Sequence, residues 1–159
     1  MAVIDIFNFA PINDRISTGG QPTPAQFEAA RDEGYTAVIN LAPSGENNAL
    51  EGEDELLATL GFDYYHIPMV WTDPKPEQFT AFCAAMEKVG NKKVLVHCIA
   101  NYRVSAVVSS YAIKKLGWSV EQADRLVTKI WTSIPEYPMN DTWQTYIDTI
   151  RQRSIDESA

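Results

Sequence analysis

The chain has 159 residues, 45% of them hydrophobic, with a formal net charge of −8 and two cysteines. That length and apolar content suit one domain with a substantial core. The acidity excludes a nucleic-acid surface, which needs compensating Lys and Arg, and no stretch approaches the ~20 apolar residues of a membrane helix.

The amino terminus MAVIDIFNFAPIND has neither a basic leader nor a small-residue cleavage pattern, so cytoplasmic residence is expected. Ile16 to Gly20 are read as following a first short strand. Thr23-Pro24-Ala25-Gln26 then supplies a Thr cap, Pro at the first helical position and Gln at the third, and this helix is predicted to stop at Gly34. Thr36 to Leu41 reads as a buried strand, followed by a loop from Pro43 to Asn48 and an acidic helix from about Glu51 to Leu60. Gly61 ends it, and Phe62 to Ile67 forms the next strand. Pro74 and Pro76 open a helix that carries Phe79, Phe82, Cys83 and Met86 on one face. Cys83 is therefore expected to be a buried helix cysteine rather than half of a disulfide.

Lys93-Val94-Leu95-Val96-His97 is short, β-branched and bounded by Gly90-Asn91-Lys92, so it predicts another buried strand, with Cys98 at its carboxyl end. From Arg103 onward Val104, Val107, Val108, Tyr111, Ala112 and Leu116 recur at helical spacing. All that follows is predicted helical, with a capping-box start at Ser119 to Gln122 and a last helix carrying Trp143, Ile147 and Ile150. The alternation predicts a single α/β domain, residues 1–153, with a mostly parallel central sheet flanked by helices and a helical carboxyl-terminal portion. Residues 154–159 are read as a loose polar tail.

Ligands of such sheets bind beyond the carboxyl ends of the strands, where Cys98 falls. The strand-to-helix turn after it, Ile99, Ala100, Asn101 and Tyr102, offers free backbone N–H groups that can converge on an anion. Such a setting, with Arg103 alongside, favours a thiolate, the reactive form of cysteine. Because the global charge does not attract phosphates, any affinity for them must be local. Arg103 supplies a planar fork of donors suited to two phosphoryl oxygens. Asn101 is read as a left-handed turn residue, and Tyr102 either as a wall of the entrance or as a half-exposed aromatic. For Ser105 two readings stand: a hydrogen bond to the sulfur, or a local backbone bond in the first helical turn. His97 is expected to orient the loop, since strand alternation points it away from Cys98. The acidic run Glu51, Glu53, Asp54 and Glu55 lacks His or Cys company and is read as a solvated helix start, so no metal or other cofactor is expected.

The loop HCIANYRVSA, with the opening RISTGGQPTPAQF, resembles the protein tyrosine and dual-specificity phosphatase superfamily, most closely a small bacterial branch of it. The resemblance implies a phosphotyrosine phosphatase-like fold and a cysteine-dependent phosphatase acting on a phosphorylated protein or small molecule through a thiophosphate intermediate. It implies Cys98 as nucleophile, the loop from Ile99 to Arg103 as phosphate cradle, and an acid on an upstream Asp-Pro loop, here Asp73 of Trp71-Thr72-Asp73-Pro74. Asp63 and His66 are poorer acids, since both fall inside a strand.

The family pattern sets five residues between cysteine and arginine, whereas here there are four. Either the cradle is one residue shorter, or Val104 takes the arginine slot and Arg103 reaches in beside it. Four intervening residues also suit a rhodanese-like sulfurtransferase. The altered spacing equally suits a phosphatase-like module that binds a phosphorylated ligand without turning it over.

Overall fold

The computed structural model describes residues 2–158, with side chains for residues 2–153. Five strands form one sheet in the order β1-β2-β5-β3-β4: Ala10–Pro11 (β1), Ile16–Gly19 (β2), Ala37–Asn40 (β3), Asp63–His66 (β4) and Val94–His97 (β5). All neighbouring pairs are parallel except β1 with β2. Ile16–Gly19 is thus itself a strand beside β5, and the short strand before it is Ala10–Pro11. The register sets Gly19, His97, Asn40 and His66 in one row. The carboxyl ends of four parallel strands therefore open on one edge of the molecule, with β5 at the centre of the three inner strands.

Side-chain alternation along β5 divides the core. Val94, Val96 and Cys98 face one side and Leu95 the other, which follows from the two-residue period of a strand. On the Leu95 side lie α1 (Pro24–Asp32) and α2 (Glu53–Leu60), through Phe27, Ala30 and Leu57. On the Cys98 side lie α3 (Pro76–Val89), α4 (Tyr102–Lys115), α5 (Val120–Trp131) and α6 (Asp141–Ser158). Helices thus cover both faces, as an all-but-parallel sheet requires.

The caps form as the sequence indicates. Thr23 and Gln26 exchange side-chain and backbone hydrogen bonds at the start of α1, and Ser119 and Gln122 do the same for α5. α4 is buried on every side from Tyr102 to Ala112, because α5 and α6 enclose what the sheet leaves open. Its serines are satisfied within the helix: Ser109 and Ser110 both donate to the Ala106 carbonyl. Cys83 is half-buried on α3 and, like Cys98, free. Burial raises the Cys83 pKa above the ordinary thiol value, against the pull of Lys114 and Lys115. α6 runs to Ser158, while the side chains of the stretch read as a polar tail, from Ser154, lie outside the described residues.

A cluster of aromatic rings fastens the helical half to the site. Trp71 stacks on Trp131 at 5.5 Å, and Tyr102 lies 4.4 Å from Trp131 between ring centroids. Trp143 donates its indole N–H to the Trp71 carbonyl, and the Tyr146 hydroxyl donates to that of Lys75. The last helix thereby holds both ends of the Trp71–Lys75 segment.

Candidate active site

Cys98 is fully buried from bulk solvent at the end of β5 and lines a cavity of about 880 Å³. The loop that follows has its carbonyls tied outward one by one. The Cys98 carbonyl contacts Nδ1 of His97 at 3.0 Å, Ile99 accepts from the Gln21 amide at 2.9 Å, and Ala100 accepts from Nδ2 of Asn8 at 3.0 Å. Asn101 has φ +67°, the left-handed turn read from sequence, and its side-chain amide donates to Asn8 and Thr18. Among the described residues the amides of Ile99, Ala100, Tyr102 and Arg103 have no acceptor. Amides left free at a helix start form an anion-binding site.

The two glycines before Gln21 explain why the loop sits where it does. A β-carbon on Gly20 would stand 2.4 Å from the Ile99 carbonyl oxygen, and one on Gly19 would stand 2.7 Å from a methyl of Ile6. The chain leaving β2 can pass against the Cys98 loop only because Gly20 has no side chain, while Gly19 makes room for Ile6.

Arg103, the second residue of α4, points into the cavity, while Val104 is buried in the core. Of the two neighbours it is therefore Arg103, not Val104, that faces the cavity. Its guanidinium donates to both oxygens of Glu46, at 3.1 and 2.5 Å, and to the Met69 carbonyl at 2.9 Å. Burial works against the charge, but Glu46 and Cys98 more than offset it and hold the Arg103 pKa above its ordinary value. Glu46 comes from the loop after β3, next to β5 in the sheet.

Behind the loop, His97 contacts Oε2 of Glu53 through Nε2 at 2.8 Å, both side chains being buried. The Cys98 carbonyl can only accept, so Nδ1 donates to it, and the Nε2–Glu53 contact carries one further proton. Glu53 also accepts from Gln21 at 2.7 Å and from the Tyr64 hydroxyl at 2.9 Å. Burial alone would raise the Glu53 pKa, but His97, Gln21 and Tyr64 reverse the sign and hold it below the usual carboxylate range. Tyr64 is shifted up, mainly by burial, and stays a donor. Glu53 is thus a buried acceptor, a correction to its reading as part of a solvated helix start. Gly52, at φ +75°, turns the chain into α2 where Glu53 is buried and Glu51, Asp54 and Glu55 are exposed.

The remaining expectations separate in space. Tyr102 is buried, walls the cavity, and donates its hydroxyl to the Tyr137 carbonyl at 2.9 Å. Ser105 donates to the Tyr102 carbonyl and accepts from Trp131, so its hydroxyl is engaged locally rather than at the sulfur. Asp73 does not line the cavity: its carboxylate is 65% exposed and pairs with Lys75 at 3.0 Å. Trp71, two residues earlier, does line it. Residues not singled out in the sequence are Glu46, Gln21, Phe7 and Tyr137. The strand-end rule could have found the first two, because each follows a strand that borders β5.

These features match known proteins over most of the chain. Residues 8–124 fit the family model of the beta-lactamase hydrolase-like protein, phosphatase-like domain. A beta-lactamase hydrolase-like protein of Xylella fastidiosa is 33% identical over 95 residues, 58% of this chain but only 22% of that relative. The chain thus spans well under half the length of the curated relatives it matches. A DUF442 protein structure from Shewanella putrefaciens CN-32 superposes with a TM-score of 0.85 at 30% identity, over 96% of both chains. Tk-PTP in its active form shares the fold, with a TM-score of 0.73 at 19% identity over 92% of this chain and 97% of its own. The Cys98 loop therefore sits in a phosphotyrosine phosphatase-like fold, and the chain belongs to the phosphatase-like domain family of the beta-lactamase hydrolase-like proteins.

Proposed function

We propose that this chain is a cysteine-dependent phosphatase that hydrolyses a phosphate monoester, with Cys98 as nucleophile and Arg103 as clamp. The observation that carries the reading is that Cys98 and Arg103 line one cavity at the end of the central strand, beside a loop whose carbonyls are tied outward. The Cys98 thiolate attacks phosphorus in line with the ester oxygen; the S–P bond forms as the P–O bond breaks, and the leaving oxygen takes a proton. Water then attacks the thiophosphate and returns the thiolate. Through both steps the amides of Ile99, Ala100, Tyr102 and Arg103 and the Arg103 fork hold the equatorial oxygens, where transition-state charge is spread. His97 and Glu53 act one layer behind, fixing the Cys98 carbonyl away from the phosphate. Ser105 supports the turn through its bond to Tyr102.

The test is hydrolysis of p-nitrophenyl phosphate by the full chain. Cys98→Ser is expected to abolish turnover while inorganic phosphate still binds; undiminished hydrolysis by that variant would remove Cys98 from the chemistry. The four-residue spacing and the absence of Asp73 from the cavity favour a second reading, sulfur transfer, which needs no acid for a leaving alkoxide. Thiocyanate formation from thiosulfate and cyanide, without ester hydrolysis, would put it first.

Asp73 is our candidate acid. To protonate a leaving group it must leave Lys75, an exposed pair worth no more than ~1 kcal/mol. The bracing of Trp71 and Lys75 by α6 confines the movement to the three residues between them. Asp73→Ala is expected to slow an alkyl phosphate about 100-fold, the low end for general acid catalysis, and to leave the nitrophenyl ester, whose leaving group needs no proton, nearly unchanged. Equal rates with both esters before and after substitution would remove Asp73 from the role.

A further inference from the structure

We infer that the Cys98 cavity is shaped for a single phosphate carried on a large apolar group and disfavours ligands bearing several phosphates. This inference rests on the phosphate reading of the site. A cavity of about 880 Å³ is far larger than a phosphate needs and falls in the range of pockets that enclose whole small molecules. Among the described residues, the charged side chains lining it are Arg103 and Glu46, of opposite sign and bonded to each other. One anionic head group can take the Arg103 fork by displacing Glu46. A second or third phosphate on the same ligand would meet no cation in the walls, inside a protein of net charge −8.

The walls are mostly apolar, through Phe7, Pro22, Leu50, Trp71, Ile134 and Tyr137, with the uncharged Gln21, Thr23, Asn47 and Asn48 among them. Phe7 and Tyr137 are 53% and 60% exposed, large apolar side chains at the rim of an apolar cavity rather than scattered on the surface. Both are held in register with the reacting centre. The Phe7 carbonyl accepts from Gly20 at 2.7 Å, and Asn8 beside it bridges the Ala100 carbonyl and the Ser133 hydroxyl. The Tyr137 carbonyl is bonded by Tyr102, the first residue of α4. An apolar body between these walls is therefore positioned relative to the sulfur, and its burial adds affinity that inorganic phosphate lacks.

Calorimetric titration of the Cys98→Ser variant of this chain tests this with three probes: inorganic phosphate, 2-naphthyl phosphate and inositol hexakisphosphate. The naphthyl ester is expected to bind at least tenfold more tightly than phosphate, and the hexakisphosphate no more tightly than phosphate. Adding Phe7→Ser or Tyr137→Ser is expected to weaken the naphthyl ester about tenfold and leave phosphate unchanged, which a misfolded variant would not do. Tightest binding by the hexakisphosphate, or a naphthyl gain that survives both substitutions, overturns the inference while the phosphate reading stands. No binding by any of the three removes the phosphate reading itself, and this inference with it.

Discussion

Arg103→Lys is expected to lower kcat/KM for an aryl phosphate by about 1,000-fold, the lower end of what a transition-state arginine contributes to phosphoryl transfer. Lysine keeps the charge but loses the fork. In this structure the guanidinium reaches both oxygens of Glu46 and the Met69 carbonyl at once, which one ammonium cannot reproduce with the same planarity. Because the charge is retained and Arg103 sits at the cavity wall, the melting temperature should move little. The check is steady-state kinetics beside thermal unfolding of the same preparation. A variant keeping more than a tenth of the activity would show that the fork does not follow the transferring group.

Glu53→Ala acts on the fold rather than the cavity wall. It strips partners from His97, Gln21 and Tyr64 together, and breaking a buried charged pair from one side costs about 3 kcal/mol or more. For a chain of this size that corresponds to a melting temperature lower by roughly 10 °C. Acidity separates this pair from mere packing. Since the folded chain holds Glu53 below its ordinary pKa, the unfolded chain binds more protons between the two values, and stability rises with pH across that window. The contribution is complete above the ordinary carboxylate value and is lost as pH falls through the folded one. Urea unfolding at a series of pH values should show this acid-side loss in the native chain and a smaller one in Glu53→Gln. An identical acid limb in both would mean that Glu53 does not carry the charge assigned to it.

The layout of strands and helices was legible because the signals are local. The β-branched run of β5, the two capping boxes and the glycine stops at Gly34 and Gly61 each act within a few residues. The position of Cys98 at a strand end before a helix was legible for the same reason, since strand, cysteine and helix start are contiguous. The partners of that loop were not. Glu46 lies 57 positions from Arg103 and Glu53 lies 44 from His97, and only the sheet order, which puts β3 next to β5, brings them there. Within the acidic run every carboxylate looks alike until Gly52 fixes which one turns inward. The proline-flanked Asp73 illustrates the converse: its motif was readable, but the resting position of its loop depends on contacts with α6. Phe7 and Tyr137 come from distant parts of the chain, so no window of sequence shows that they line one cavity.

The pairing of Glu46 with Arg103 makes the protein its own first ligand. A carboxylate tethered to the cavity rim is present at a fixed local concentration that dilution cannot lower. An incoming oxyanion binds only to the fraction of molecules whose fork is free, so its apparent affinity is weaker than the intrinsic one by that fraction. Glu46 is partly exposed and can turn to water when displaced. The same geometry that keeps a buried guanidinium paired at rest therefore raises the concentration at which any oxyanion half-fills the site, and a ligand that also gains from the apolar walls reaches that point sooner.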